Sequence, residues 1–143
     1  MSFLTWPGAC EVHERFTGEQ LVELRTEHPG LQIIAHPECP QEVLAEADFV
    51  GSTSGMTKWV TEHRPEQVAM ITECSMADNV AQSVPDTEFV RPCNMCPHMK
   101  RITVQNIRTA LEDMQHEVLV DPAIAAEAKA AVEAMLAVGP PKQ

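Results

Sequence analysis

Leu31-Gln32-Ile33-Ile34-Ala35 is the stretch whose reading decides the fold. It is a short apolar run that follows the turn residues Pro29-Gly30 and gives way at once to His36, the pattern of a buried strand. Working outward, Gln67-Val68-Ala69-Met70-Ile71 repeats the pattern, and Phe49-Val50 and Thr87-Glu88-Phe89-Val90 read as two shorter strands. Between them lie segments of helical period: Pro40 to Ala47 with Val43, Leu44 and Ala47 on one side, Met56 to His63 with Met56, Trp59 and Val60 turned inward, and Met76 to Ser83. A further helix precedes the first strand. Thr17-Gly18-Glu19-Gln20 has capping-box spacing, Leu21, Leu24 and Val22 supply the apolar face, and Pro29-Gly30 stops it. Strands alternating with helices at this pitch imply right-handed crossovers and a short parallel sheet covered on both faces, an α/β fold of three-layer α/β/α sandwich type.

The ends read differently. Phe3-Leu4-Thr5-Trp6 looks like the tail of a strand entering Pro7-Gly8, so residues 1–16 read as the end of a preceding domain and a junction carrying Cys10 and His13. Residues 17–96 form the α/β/α domain, and residues 97–143 are C-terminal helices. One runs from Arg101 to Gln115 with Ile107, Ala110, Leu111 and Met114 as its stripe. The other opens at Asp121-Pro122, an N-cap and N1 pair, and closes at Gly139 before Pro140-Pro141.

Composition narrows the function classes. Ten Lys and Arg against 21 Asp and Glu give a net charge of -11, which repels nucleic acid and anionic membranes alike. Arg91, Lys100, Arg101 and Arg108 cluster, and four charges beside a thiol motif suit a small anion better than a duplex. Aromatic content of 4% with no Tyr argues against a base-stacking platform. No signal peptide opens the chain and no apolar run approaches the roughly 20 residues of a membrane span, so a soluble cytoplasmic protein is expected. Five cysteines, at 10, 39, 74, 93 and 96, are an odd number without a secretory signal, and disulfide stapling is not expected.

In an open parallel sheet, ligands bind beyond the carboxyl ends of the strands. All four predicted strands end there in polar or soft residues: His36-Pro37-Glu38-Cys39, Gly51-Ser52-Thr53-Ser54-Gly55, Thr72-Glu73-Cys74-Ser75 and Cys93-Asn94-Met95-Cys96-Pro97-His98-Met99-Lys100. The glycine-flanked hydroxyl run at a helix start suits a phosphate or carboxylate, although Ser52 or Ser54 serves equally as a helix cap. His36 and Glu38 make either an acid/base pair or a hydrogen-bonded strand end, and Glu73 a base or a solvated first-turn charge. Cys39 and Cys74 have no partner at metal spacing and read as rim or core filling. Cys93-x-x-Cys96 is ambiguous among zinc, iron-sulfur and thiol redox chemistry, and supplies at most two ligands. Cys10 with His13, after the Pro7-Gly8 turn, reads on its own as a buried cysteine and a capping histidine, and beside Cys96 and His98 as the distant ligand.

Five stretches in series, Trp6-Pro7-Gly8-Ala9-Cys10-Glu11-Val12-His13, His36-Pro37-Glu38-Cys39-Pro40, Ala47-Asp48 with Gly51-Ser52-Thr53, Thr72-Glu73, and Cys96-Pro97-His98-Met99-Lys100, resemble bacterial quinolinate synthase. The resemblance covers nearly all of positions 6 to 115. It implies a transferase that condenses iminoaspartate with dihydroxyacetone phosphate to quinolinate for NAD synthesis. It also implies three related α/β/α domains, each giving one cysteine to a four-iron, four-sulfur cluster whose open iron acts as a Lewis acid. On that resemblance Cys10 and Cys96 are cluster ligands, His13 and Glu38 catalytic, His36, Ser52 and Thr53 substrate-binding, and Cys93 an accessory cysteine. Many relatives carry Gly two positions after the Thr-Glu pair, where this chain has Cys74-Ser75. The resemblance further implies that an N-terminal part with the third cluster cysteine is missing and is needed to complete the site. The alternatives are a zinc- or iron-binding structural module using Cys10, His13, Cys93 and Cys96, or a thiol redox protein centred on Cys93 and Cys96.

Overall fold

The computed structural model describes residue 4 and residues 7–139; the strand tail expected at Phe3 to Trp6, apart from Leu4, and the Pro140-Pro141 tail lie outside the described residues. The chain divides after Arg101 into two compact units. The first holds β1 (Gln32–Ala35), β2 (Phe49–Val50), β3 (Gln67–Ile71) and β4 (Glu88–Val90) with α1 (Gly18–Glu27), α2 (Gln41–Glu46), α3 (Thr53–His63) and α4 (Ser75–Ala81). The four strands make one parallel sheet in the order β2-β1-β3-β4, with Ile34 opposite Met70 and Val68 opposite Phe89.

Strand alternation divides the core into two layers. Ile33, Ala35, Ala69 and Ile71 face one side and pack with Phe16, Leu21 of α1, Cys39 and Val43 of α2. Ile34, Val68 and Met70 face the other and pack with Met56 and Val60 of α3 and Ala77 and Val80 of α4. The α/β/α sandwich read from the sequence is therefore present. Its layering follows from the strand order: the chain leaves β1 outward to β2 through α2, then returns past β1 to β3 and β4 through α3 and α4. Crossovers of one hand put helices on opposite faces when the direction of travel reverses. That reversal, between β1 and β3, opens a crevice at the carboxyl ends of the two central strands.

The caps explain most helix boundaries. Thr17 Oγ1 accepts the Gln20 N–H at 3.3 Å while Gln20 Oε1 accepts the Thr17 N–H at 3.1 Å, completing the box expected there. Helix α3 starts three residues before the Met56 expected from periodicity, because Ser52 Oγ accepts the Gly55 N–H at 3.2 Å and the polar run Thr53-Ser54-Gly55 becomes its first turn. Asp48 Oδ2 accepts the Ile33 N–H at 2.7 Å and an Arg25 N–H at 3.0 Å, so the loop before β2 is fastened to β1 by a side chain.

The second unit contains α5 (Val104–Glu112) and α6 (Pro122–Val138). Helix α5 is shorter than the Arg101 to Gln115 span expected. A Thr103–Asn106 capping box opens it, Met99–Arg101 form a separate 3-10 turn, and Met114, with φ of 50°, lies past its end rather than on its stripe. Asp121 Oδ1 accepts the Ala123 and Ile124 N–H groups at 2.8 and 3.4 Å, and Pro122 occupies N1 as read. Among the described residues no helix is long and apolar enough to cross a membrane.

Candidate functional site

The crevice is built by four short segments. In the first, Val12 and Phe16 are buried and pin the turn between Pro7 and Thr17 to the sheet. A Glu14 N–H to Cys10 C=O bond at 3.1 Å and the 3-10 turn His13–Arg15 then bring the Cys10 thiol and the His13 ring to the same rim. In the second, β1 ends and His36 donates its N–H to Ile71 C=O, while Cys39 folds back to bury its thiol, which lies 3.5 Å from the same carbonyl. Glu38 is left on the rim, its side chain 57% exposed.

These two segments meet through side chains. His13 is only 7% exposed, and its two ring nitrogens are 3.0 Å from Glu38 Oε2 and 3.0 Å from Thr72 Oγ1. An ionised carboxylate only accepts, so Nδ1 carries the proton toward Glu38 and Nε2 receives the Thr72 hydroxyl. The His36 ring stacks on His13 with centroids 4.5 Å apart and planes within 7°. Its Nδ1 accepts the Glu38 N–H at 3.4 Å, so the other nitrogen bears the proton. Burial first, and the neighbouring His13 second, lower the pKa of His36 below its usual value, outweighing the opposite pull of Glu38. Burial likewise raises the Cys39 thiol to about 11, which makes it a poor ligand and fits the core role read for it.

The third segment follows β3. Glu73 is not the solvated charge its position suggests: its side chain is 12% exposed, Oε2 accepts the Ser75 N–H at 2.8 Å, and Oε1 accepts the Cys96 N–H at 3.4 Å. Lys100 sits 3.7 Å from Glu73 Oε1 and donates to Ser75 Oγ at 2.6 Å. The fourth segment, Cys93 to Lys100, is thus strapped to the third. A bridge pairs Glu73 with Asn94, and the Cys74 N–H bonds Asn94 C=O at 3.2 Å. His98 Nε2 reaches Glu11 Oε1 at 3.0 Å and ties this loop to the Cys10 turn as well.

A disulfide corrects the cysteine reading. Cys74, read as rim or core filling, is bonded to Cys93, with Cα atoms 5.2 Å apart, while Cys10, Cys39 and Cys96 are free. Cys93 and Cys96 therefore do not form a Cys-x-x-Cys redox pair here, and Cys93 has no thiolate to give a zinc module. Nothing in the spacing of Cys74 and Cys93, nineteen residues apart, marks them as partners.

Cys10 and Cys96 line one pocket of about 260 Å³ together with His13, Thr53, Thr72 and Glu73. Thr53 reaches it from the first turn of α3; Ser52 does not line it and instead caps the helix and pairs with Ser54 Oγ at 3.1 Å. Glu38 and Cys10 line an adjoining cavity of about 400 Å³ with Gly8 and Ala9. Cys10, His13 and Glu38 each offer a donor atom, all within 4.8 Å of one another. Val12, Ser75, Met76, Asn79 and Met99 also line the first pocket, although the sequence reading gave none of them a role there. Thr72 had a motif position but no role until β1 and β3 were placed side by side.

The sequence that builds this site has relatives among known proteins. The family model described as quinolinate synthetase A protein matches residues 1–137. Quinolinate synthase 1 of Mesorhizobium japonicum is 59% identical over 136 residues, 95% of this chain and 42% of that protein. Quinolinate synthase of Agrobacterium fabrum is 60% identical over 136 residues, 95% of this chain and 39% of that protein, and that of Xylella fastidiosa strain 9a5c is 55% identical over 138 residues, 96% and 41%. The chain thus spans about two fifths of the length of these relatives. With a model match over nearly its whole length, the chain belongs to the quinolinate synthetase A protein family.

Proposed function

We propose that these residues form part of a quinolinate synthase, which condenses iminoaspartate with dihydroxyacetone phosphate to give quinolinate for NAD synthesis. The observation that carries this reading is the pair of free thiols, Cys10 and Cys96, lining one pocket with a buried imidazole and a threonine hydroxyl. Two such thiols fit a thiolate-ligated cluster as two of its ligands. Cys39 cannot be the third, because its thiol is buried against Ile71 C=O and resists ionisation. The third thiolate comes from a part of the synthase outside these residues, in keeping with the two fifths of the relatives' length that the chain spans. When bound, a four-iron, four-sulfur cluster supplies a Lewis acid for dehydration.

The chain's own groups bind and move protons. Glu38 is exposed on the rim with Oε2 accepting from His13 Nδ1–H, so the ring, its far nitrogen held by Thr72, fixes the carboxylate in place and leaves its other oxygen to take a proton. His36, neutral at physiological pH, offers a hydrogen-bond donor rather than a charge. Thr53, with the N–H groups that open α3, suits a substrate carboxylate or phosphate, and Ser52 fixes that turn. We place the protein in the cytoplasm, whose reducing thiols keep Cys10 and Cys96 available as ligands and would also open the Cys74–Cys93 bond there.

Anaerobic reconstitution of a synthase that contains these residues tests the reading. Cys96→Ser is expected to abolish quinolinate formation, and Cys39→Ser to leave it; equal loss in both contradicts the ligand assignment. The 143-residue chain alone is expected not to hold a four-iron cluster, because two thiolates cannot replace three, and a stable four-iron cluster on it would overturn the two-ligand reading.

A further inference from the structure

The donor trio Cys10, His13 and Glu38 brings together one sulfur, one nitrogen and one oxygen, all within 4.8 Å of one another. That donor set is what a zinc-type cation takes from protein when its fourth position stays open, and the atoms are near enough for a small movement of the exposed Glu38 side chain to bring all three to one ion. We propose that Cys10, His13 and Glu38 form a mononuclear site for a divalent zinc-type cation, filled when Cys10 carries no other metal.

Three further features support it. The imidazole is held before any ion arrives: His13 is buried, Thr72 Oγ1 stands 3.0 Å from Nε2, and the His36 ring stacks flat against it. Such a partner on the distal nitrogen is the usual support of a metal-bound histidine. The proton balance is simple. A cation on Nδ1 displaces that proton from Glu38, the ring proton resides instead on Nε2 and is donated to Thr72 Oγ1, and the Cys10 thiol releases its proton to solvent. Access is also present, since Gly8 and Ala9 with Cys10 and Glu38 line the adjoining cavity of about 400 Å³, which admits the ion and leaves room for water as fourth ligand.

Because the site uses Cys10, a cation there and a cluster bound through Cys10 exclude each other. This consequence rests on the proposed synthase chemistry, whereas the site itself does not. Cys96 has no part in it.

Cobalt titration of the 143-residue chain, purified without metal, gives the test. One Co²⁺ per chain is expected, with a charge-transfer band of a single thiolate and ligand-field bands of tetrahedral intensity, all displaced by one equivalent of Zn²⁺. Cys10→Ser should remove the charge-transfer band. Glu38→Gln should weaken binding more than tenfold, and Thr72→Val by about tenfold, as loss of a supporting partner does. Cys96→Ser should bind as the parent does. Absence of binding, a band of two-thiolate intensity, or loss in Cys96→Ser equal to that in Cys10→Ser overturns the proposal. Glu38 is exposed, so Glu38→Gln retains the fold and remains decisive even if Cys10→Ser does not fold; unchanged affinity in it also overturns the site. None of these readings depends on quinolinate formation.

Discussion

Glu73 does for the Cys93 to Lys100 loop what a cap does for a helix. Its two oxygens accept the N–H groups of Ser75 and Cys96, so a carboxylate that looks free for chemistry is committed to holding backbone. In Glu73→Gln one oxygen becomes an amide nitrogen that faces an N–H group. An unsatisfied part-buried donor costs about 1–3 kcal/mol, so denaturant unfolding should register a loss of that order and Cys96 should alkylate faster than in the parent chain. An unchanged midpoint with unchanged Cys96 reactivity would count against this role. His36 gives a prediction in pH. Its folded pKa lies below 6.5, so between that value and 6.5 the unfolded chain binds more protons, and stability falls as the pH is lowered from about 6.5. A ring-proton titration of folded protein should show a midpoint below 6.5; one at or above it would refute the burial assignment. Neither role is legible from the residue types. Glu73 and His36 have ordinary neighbours in sequence, and what distinguishes them is burial that arises only when β1 and β3 lie side by side.

Elements were more legible than contacts. The apolar runs of β1 and β3 announce strands buried on both faces, and alternation along them decides which side each residue serves. The Thr17–Gln20 box and the Asp121-Pro122 start are local chemistry and could be read as such. Helix α3 shows the limit. Thr53, Ser54 and Gly55 carry no apolar period, so periodicity begins the helix at Met56, whereas the Ser52 hydroxyl begins it at Thr53. This shift matters to the site, because it turns Thr53 from a loop residue into a first-turn residue that lines the pocket. Ser52→Ala should therefore lower stability by about 1 kcal/mol, and Ser52→Asp, which also caps, should restore it. Thermal unfolding of the pair checks this; equal losses would mean that Ser52 acts through something other than the cap.

At the scale of the molecule, the order β2-β1-β3-β4 assembles the site, and no single stretch of sequence contains that order. His13, Glu38 and Thr72 are 25 and 59 residues apart along the chain pairs that join them, and they meet because the crossovers reverse between the central strands. The Cys74–Cys93 bond is the least legible feature for the same reason. It spans the return from β3 through α4 to β4, a separation of nineteen residues, and a closed loop of that size contributes about 3 kcal/mol in the chain-entropy account. Thiol counting should find three reactive groups in denaturant without reductant and five after reduction, with a stability loss of that order on reducing the native chain. Five groups before reduction would mean that Cys74 and Cys93 are not bonded.

The sheet's outline has one more consequence. Its outer strands, Phe49–Val50 and Glu88–Val90, span two and three residues, against four and five for the inner pair. An edge that short offers few unpaired backbone groups to a passing chain, and Glu88 adds a charge to one of them. Parallel sheets fold slowly because distant segments must find one another. While they do so, stubby margins give stray strands little to grip, which guards this chain against self-association before its polar rim has formed.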